Sequence, residues 1–135
     1  MDSKPKVAAG NGGGQSMHEF IATAKALADE NRVRILMALS QSELCMCQIV
    51  ELLKLAPSTV SRHVASLSQA RLVVLRKDGR WHYFSLANSV NDPLAASAIE
   101  WMRGALFESF RIKSDRCQVE HILRLDEKEC CDHHR

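Results

Sequence analysis

The chain reads as a mainly α domain carrying one two-stranded β-hairpin. Three observations lead there. Apolar residues recur at helical spacing in four segments between Phe20 and Leu67. The period then falls to two around a tight-turn signal at Asp78-Gly79. A proline, Pro57, divides the third helical segment from the fourth. Helical periodicity near 3.6 and strand periodicity of 2 are the signatures of those two backbones.

Residues 1–16 hold four glycines, two lysines and almost no large apolar side chain, so they are expected to be a disordered leader or a cloning remnant. Order should begin near Met17, where Phe20, Ile21, Ala24 and Leu27 mark a first helix. Ala28-Asp29-Glu30-Asn31 is the junction to a second, whose stripe is Val33, Leu36 and Met37, widened by Ile35 and Leu39. A third helix should start near Cys45, with Cys45, Ile49, Leu52 and Leu53 on one face. Leu55-Ala56-Pro57 ends it, and Pro57 suits the first position of a fourth helix. Ala56 is a poor cap, so Ser58 is expected to take that role. In the fourth helix Val60, Val64 and Leu67 should be buried, while Ser58, Arg62, Ser66 and Gln69 point away.

Leu72 to Arg76 and Arg80 to Leu86 then form the hairpin. A lone hairpin is marginal, so it must pack on the helices. Helix, break, helix and hairpin in this order make a winged helix-turn-helix. After a loop at 88–92, Leu94, Ala95, Ala98, Ile99, Met102, Leu106, Phe107 and Phe110 suggest one long amphipathic helix. Four helices already supply a core, so this one is expected to dimerise, its stripe through Ile99, Met102, Leu106 and Phe110 burying against a two-fold mate. Val119, Ile122 and Leu123 indicate a further helical segment. The expected layout is a leader at 1–16, a winged-helix and dimerisation domain at 17–113, and at 114–135 a helical extension with a Cys/His tail.

The chain has 135 residues, a net charge of +2, 46% apolar and 5% aromatic residues, within the range of one soluble globular domain. No apolar run approaches a membrane span and the first 15 residues lack a signal-peptide core, so a cytoplasmic protein is expected. Five cysteines in a reducing compartment point to thiols and metal or metalloid binding rather than a disulfide framework. Charge is segregated: residues 57–86 carry five basic side chains against Asp78, whereas 114–135 carry six acids against four bases. A basic middle suits nucleic-acid contact. No nucleophile–base constellation and no glycine-rich phosphate loop stands out, which argues against an enzyme.

The fourth helix should present Ser58, Thr59, Ser61, Arg62, Ser66 and Gln69 to DNA. Small hydroxyls near a helix start let the backbone approach phosphate, and arginine can bond guanine bidentately. Arg76, Lys77 and Arg80 near the hairpin tip suit phosphate or the minor groove. His63 is expected to be structural, and Trp81 and Tyr83 to pack. Cys45 and Cys47 form a thiol pair just ahead of this unit. Cys45 on its own could be a small core hydrophobe. On a regular helix the two sulfurs would stand about 200° apart, so joint binding requires an irregular first turn. Thiolates select soft ions. Cys117 with His121 four residues on is another candidate metal pair, and Cys130 and Cys131 are further candidate ligands.

Glu43-Leu44-Cys45-x-Cys47, Ser61-Arg62-His63-Val64-x-x-Leu67, and Arg71-Leu72-Val73 with Arg76-Lys77-Asp78-Gly79-Arg80-Trp81-x-Tyr83 resemble the ArsR/SmtB family of metal-responsive repressors. The resemblance spans roughly Phe20 to Leu86 and runs closest to the arsenical-resistance operon repressors. It implies a homodimer that binds operator DNA, an inverted repeat, and releases it on binding arsenic(III) or antimony(III). In such sensors a third cysteine often follows the pair by three residues, where this chain has Val50. A cadmium, lead or zinc sensor of the same fold, or a thiol redox regulator oxidising at Cys45 and Cys47 or at Cys130 and Cys131, are the rival readings.

Overall fold

In a computed structural model of the chain, residues 16–87 and 92–125 are described, and they hold six helices and three strands. α1 (Met17–Ala26) opens on a capping box: the Glu19 backbone N–H donates to Ser16 Oγ at 3.0 Å, and the Ser16 N–H donates back to the Glu19 carboxylate at 3.3 Å. α2 (Glu30–Leu39) is capped by Asp29, whose Oδ1 accepts from the Arg32 N–H at 3.1 Å. The residues of the expected leader before Ser16, the loop at 88–91 and the tail from 126 lie outside the described residues.

β1 is Leu44–Cys45, and α3 runs over Met46–Leu53. Cys45 is therefore not on the third helix. It is the N-cap residue, in extended conformation at φ −87° and ψ 167°. A two-residue strand is too short for alternation to register, which is why the periodicity merged it into the helix. α4 (Pro57–Gln69) starts with Pro57, as expected, but Ala56 is its N-cap and offers no side-chain bond. Ser58 lies inside the first turn and does not cap. α4 ends in a Schellman motif: the Arg71 N–H reaches the Ser68 carbonyl and the Leu72 N–H the Leu67 carbonyl, each at 3.0 Å. Arg71 takes the left-handed conformation this requires, φ 63°.

β2 (Val73–Asp78) and β3 (Trp81–Leu86) pair antiparallel with Asp78 opposite Trp81. The turn is thus Gly79-Arg80, one residue later than Asp78-Gly79, and Gly79 supplies the positive φ of 63°. β1 joins the other side of β3, Leu44 opposite Phe84 and Cys45 opposite Tyr83, giving the sheet order β1-β3-β2. The hairpin is anchored to the helices through this third strand and through Leu72, Val73 and Phe84 in the core.

The expected amphipathic helix ends earlier, as α5 (Pro93–Leu106), and Phe110 instead opens the further helical segment, α6 (Phe110–Leu123). α6 runs unbroken across residues 113 and 114 and packs on α2 and α3. Its inner side is Ile112, Asp115, Val119 and Ile122. Asp115 is held by Arg34 of α2, with Nε to Oδ2 at 2.8 Å and Nη2 to Oδ1 at 3.0 Å. The stripe expected to face a two-fold mate is instead divided between the protomer's core and solvent. Ile99 and Met102 are buried within the protomer, and Phe110, which opens α6, is exposed. The apolar side chains α5 does expose are Trp101 and, at its C-cap, Phe107, while α1 exposes Met17, Phe20 and Ile21. The buried face of α1 is Thr23 and Ala26.

Among the described residues, no helix is long and apolar enough to cross a membrane.

Candidate nucleic-acid interface and thiol site

α4 is fastened from below by Val60, Val64 and Leu67, at 0%, 3% and 0% exposure. That leaves Ser58, Ser61, Arg62 and Gln69 exposed and Thr59 and Ser66 half-buried, all on the helix that follows the Lys54–Ala56 turn. Arg62 enters no ion pair among the described residues, and no acid lies in the first turn. The helix N-terminus and Arg62 together present hydrogen-bond donors and positive charge outward.

The three basic residues of the wing differ from one another. Lys77 is exposed. Arg80 is exposed and lies over the Trp81 ring, 5.7 Å from its centre. Arg76 is engaged: its Nε donates to Glu43 Oε2 at 3.0 Å and its Nη2 to Oε1 at 2.8 Å, with Asp78 at 3.9 Å. The same guanidinium lies 4.4 Å from the centre of the Tyr83 ring. Hydrogen bonding from Arg76 holds the Glu43 carboxyl below its ordinary range, against the opposing effect of burial and with the Arg76 charge assisting. The bond to Glu43 in turn raises the Arg76 guanidinium. Glu43 carries no local sequence signal as a partner of the wing, because the pair is 33 residues apart. Only the unforeseen strand β1 brings them together.

His63 sits on the inner border of α4 with Nδ1 4.0 Å from Asp29 Oδ1. Burial alone would raise the Asp29 carboxyl, but the Arg32 N–H, the His63 and Arg32 charges and the Asn31 N–H together bring it below the ordinary value. The histidine thus faces the cap of α2, a structural position as expected.

At the thiol pair, Cys45 is 1% exposed on β1 and Cys47 is half-buried in the first turn of α3. Gln48 closes the turn by accepting from the Cys45 N–H through Oε1 at 2.9 Å, while the Cys45 sulfur faces the Gln48 N–H. Both sulfurs therefore stand at the positive end of the α3 dipole, which favours negative charge there. The irregular first turn that joint binding requires exists already, as a strand-to-helix junction. Cys47 is disulfide-bonded, whereas Cys45 and Cys117 are thiols, so Cys45 and Cys47 are not bonded to each other. Val50 is 2% exposed in the core, so the position of a third cysteine points inward. Cys117 and His121 are both exposed on α6, and Cys117 lies two residues from the inward Asp115, on the other side of the helix. Cys130 and Cys131 lie outside the described residues. Among the described residues no three His, Cys, Asp or Glu side chains are grouped to hold a metal ion.

Residues 29–74 match the model of a family described as bacterial regulatory protein, arsR family. The chain is 37% identical over 79 residues to an arsenical resistance operon repressor of Staphylococcus aureus, covering 58% of this chain and 76% of that one. It is 41% identical over 75 residues to a transcriptional repressor SmtB homolog of Synechocystis, covering 56% of this chain but only 54% of that protein. Among solved structures, HlyU from Vibrio cholerae is similar at a TM-score of 0.59 and 27% identity, covering 67% of this chain and 95% of that one. The reduced form of the same protein is similar at a TM-score of 0.56 and 28% identity, over 65% and 88%.

Proposed function

The chain belongs to the arsR family of bacterial regulatory proteins, transcriptional repressors by family, and on that footing we propose that it is a dimeric cytoplasmic repressor that holds operator DNA and lets go when trivalent arsenic or antimony joins Cys45 and Cys47. α4 reads the major groove through Arg62 and the hydroxyls of Ser58, Thr59, Ser61 and Ser66, with Gln69 at its far end, and Lys77 and Arg80 track phosphate from the wing. Two protomers meet through the exposed apolar side chains of α1 and α5, which sets the two α4 helices on successive half-sites of an inverted repeat. No catalytic role is assigned to any residue.

The observation that carries the reading is the position of the thiol pair at the β1–α3 junction. Cys45 belongs to the sheet that bears the wing, and Cys47 to the helix that supports α4. A ligand that draws the two sulfurs together pulls on both DNA-contacting elements at once. Soft sulfur donors suit arsenic and antimony, and each sulfur added to arsenous acid replaces one hydroxyl, which leaves as water. Cys47 must be in its thiol form to bind. With Val50 turned into the core and Cys117 on the outer side of α6, a third sulfur comes from Cys130 or Cys131 or from a small exogenous thiol.

Redox sensing is a second reading, favoured by the disulfide at Cys47. The deciding experiment follows release of a fluorescent operator duplex from the reduced protein on addition of arsenite, antimonite, cadmium, zinc or peroxide. Release by arsenite and antimonite at the lowest concentrations supports the proposal. Release by cadmium or zinc alone would reassign the effector, and release by peroxide alone would establish the redox reading in its place.

A further inference from the structure

Across the sheet, Tyr83 of β3 is flanked by Cys45 of β1 and by Arg76 of β2, so these three side chains stand in one row on one face. Glu43 precedes Cys45 by two residues and reaches the end of that row, where its carboxylate takes both Nε and Nη2 of Arg76. Tyr83 covers the flat of the guanidinium. The planar fork of an arginine can seat one carboxylate or one phosphate bidentately, but not both. Arg76 is therefore unlike Lys77 and Arg80, which carry no acid partner among the described residues.

We propose that Glu43 is a positioning residue that withholds Arg76 from DNA phosphate, its carboxylate occupying the seat a phosphate would take. The inference rests on the DNA-binding reading above. It makes the wing's effective charge one unit smaller than its composition suggests, and it places the control of that unit next to the strand that carries Cys45.

The test is the salt dependence of binding by the full chain to an operator duplex and to a random-sequence duplex. Wild type, Glu43→Gln, Arg76→Ala and the double variant are compared. Glu43→Gln is expected to tighten binding to both duplexes and to steepen the log–log salt slope by roughly 0.9, the contribution of one phosphate contact. The double variant should match Arg76→Ala, since without Arg76 there is nothing for Glu43 to withhold. Unchanged affinity and slope in Glu43→Gln, or weaker binding, would overturn the inference. An equal gain from Glu43→Gln in the Arg76→Ala background would do so as well, by showing a mere effect of net charge. Should Glu43→Gln fail to fold, Glu43→Asp draws the carboxylate back by one methylene and should move both readouts in the same direction by less. A wild type that binds neither duplex overturns the DNA-binding reading itself, whereas a wild type that binds alongside an unmoved Glu43→Gln overturns only the clamp.

Discussion

Asp115→Ala removes one side of the pair that ties α6 to α2. Arg34 and Asp115 meet through two hydrogen bonds of 2.8 and 3.0 Å, and their side chains are only 12% and 8% exposed. Truncating one member strands the other without compensation in a poorly solvated place, which costs about 3–5 kcal/mol in comparable buried pairs. Arg34 is near enough to the surface for its head to find water by rotating, so the lower figure, about 3 kcal/mol, is expected. At roughly 4–8 °C for each kcal/mol in a domain near 100 residues, the midpoint of melting should fall by roughly 12–24 °C. Urea unfolding followed by circular dichroism, with all variants at one protein concentration so that any self-association contributes equally, measures the change. The double variant Arg34→Met, Asp115→Leu should recover most of the loss, because an apolar pair of similar volume carries no desolvation cost. A loss below about 1 kcal/mol in Asp115→Ala would place the pair with ordinary surface ion pairs and refute the reasoning.

Other consequences can be checked alongside. Arg62→Ala should cost about 1–3 kcal/mol in operator affinity while leaving the fold intact, as read by anisotropy titration and melting. Lys77→Ala should weaken binding to all sequences alike and flatten the salt slope by about one contact. Trp101→Glu or Phe107→Glu should yield monomers in sedimentation, whereas a charge at the buried Met102 should unfold the protomer itself. Asp29→Ala should lose about 1 kcal/mol through the missing α2 cap. Because the Asp29 carboxyl titrates below its unfolded value, its contribution is full above that value and fades as pH falls through the lower, folded one. Acid unfolding of Asp29→Asn should accordingly show a shallower loss of stability than wild type.

Much of the architecture was legible because its signals are local. Pro57 marked the break before α4, the Val60-Val64-Leu67 spacing gave its buried face, and Gly79 gave the turn to within one residue. What was not legible depends on contacts distant in sequence. β1 spans two residues and exists only because β3 pairs with it, so Cys45 looked helical until its register with Tyr83 was known. The terminal stripe was read as a dimer face because periodicity reports an apolar side, not what covers it. In the fold Ile99 and Met102 meet the protomer's own core. Arg76 was grouped with Lys77 and Arg80 as a phosphate contact, and its bond to Glu43 was not foreseen because that partner lies 33 residues earlier. The thiol pair was recognisable from spacing alone, but its placement at a strand-to-helix junction was not.

The central claim is that Cys45 and Cys47 translate metalloid binding into loss of DNA. It is tested most directly by titrating arsenite into operator complexes of the reduced wild type and of Cys45→Ser, Cys47→Ser and the double variant. Operator affinity without arsenite should be the same in all four, and arsenite should release the wild type only. Full release of the double variant at the wild-type arsenite concentration would contradict the account.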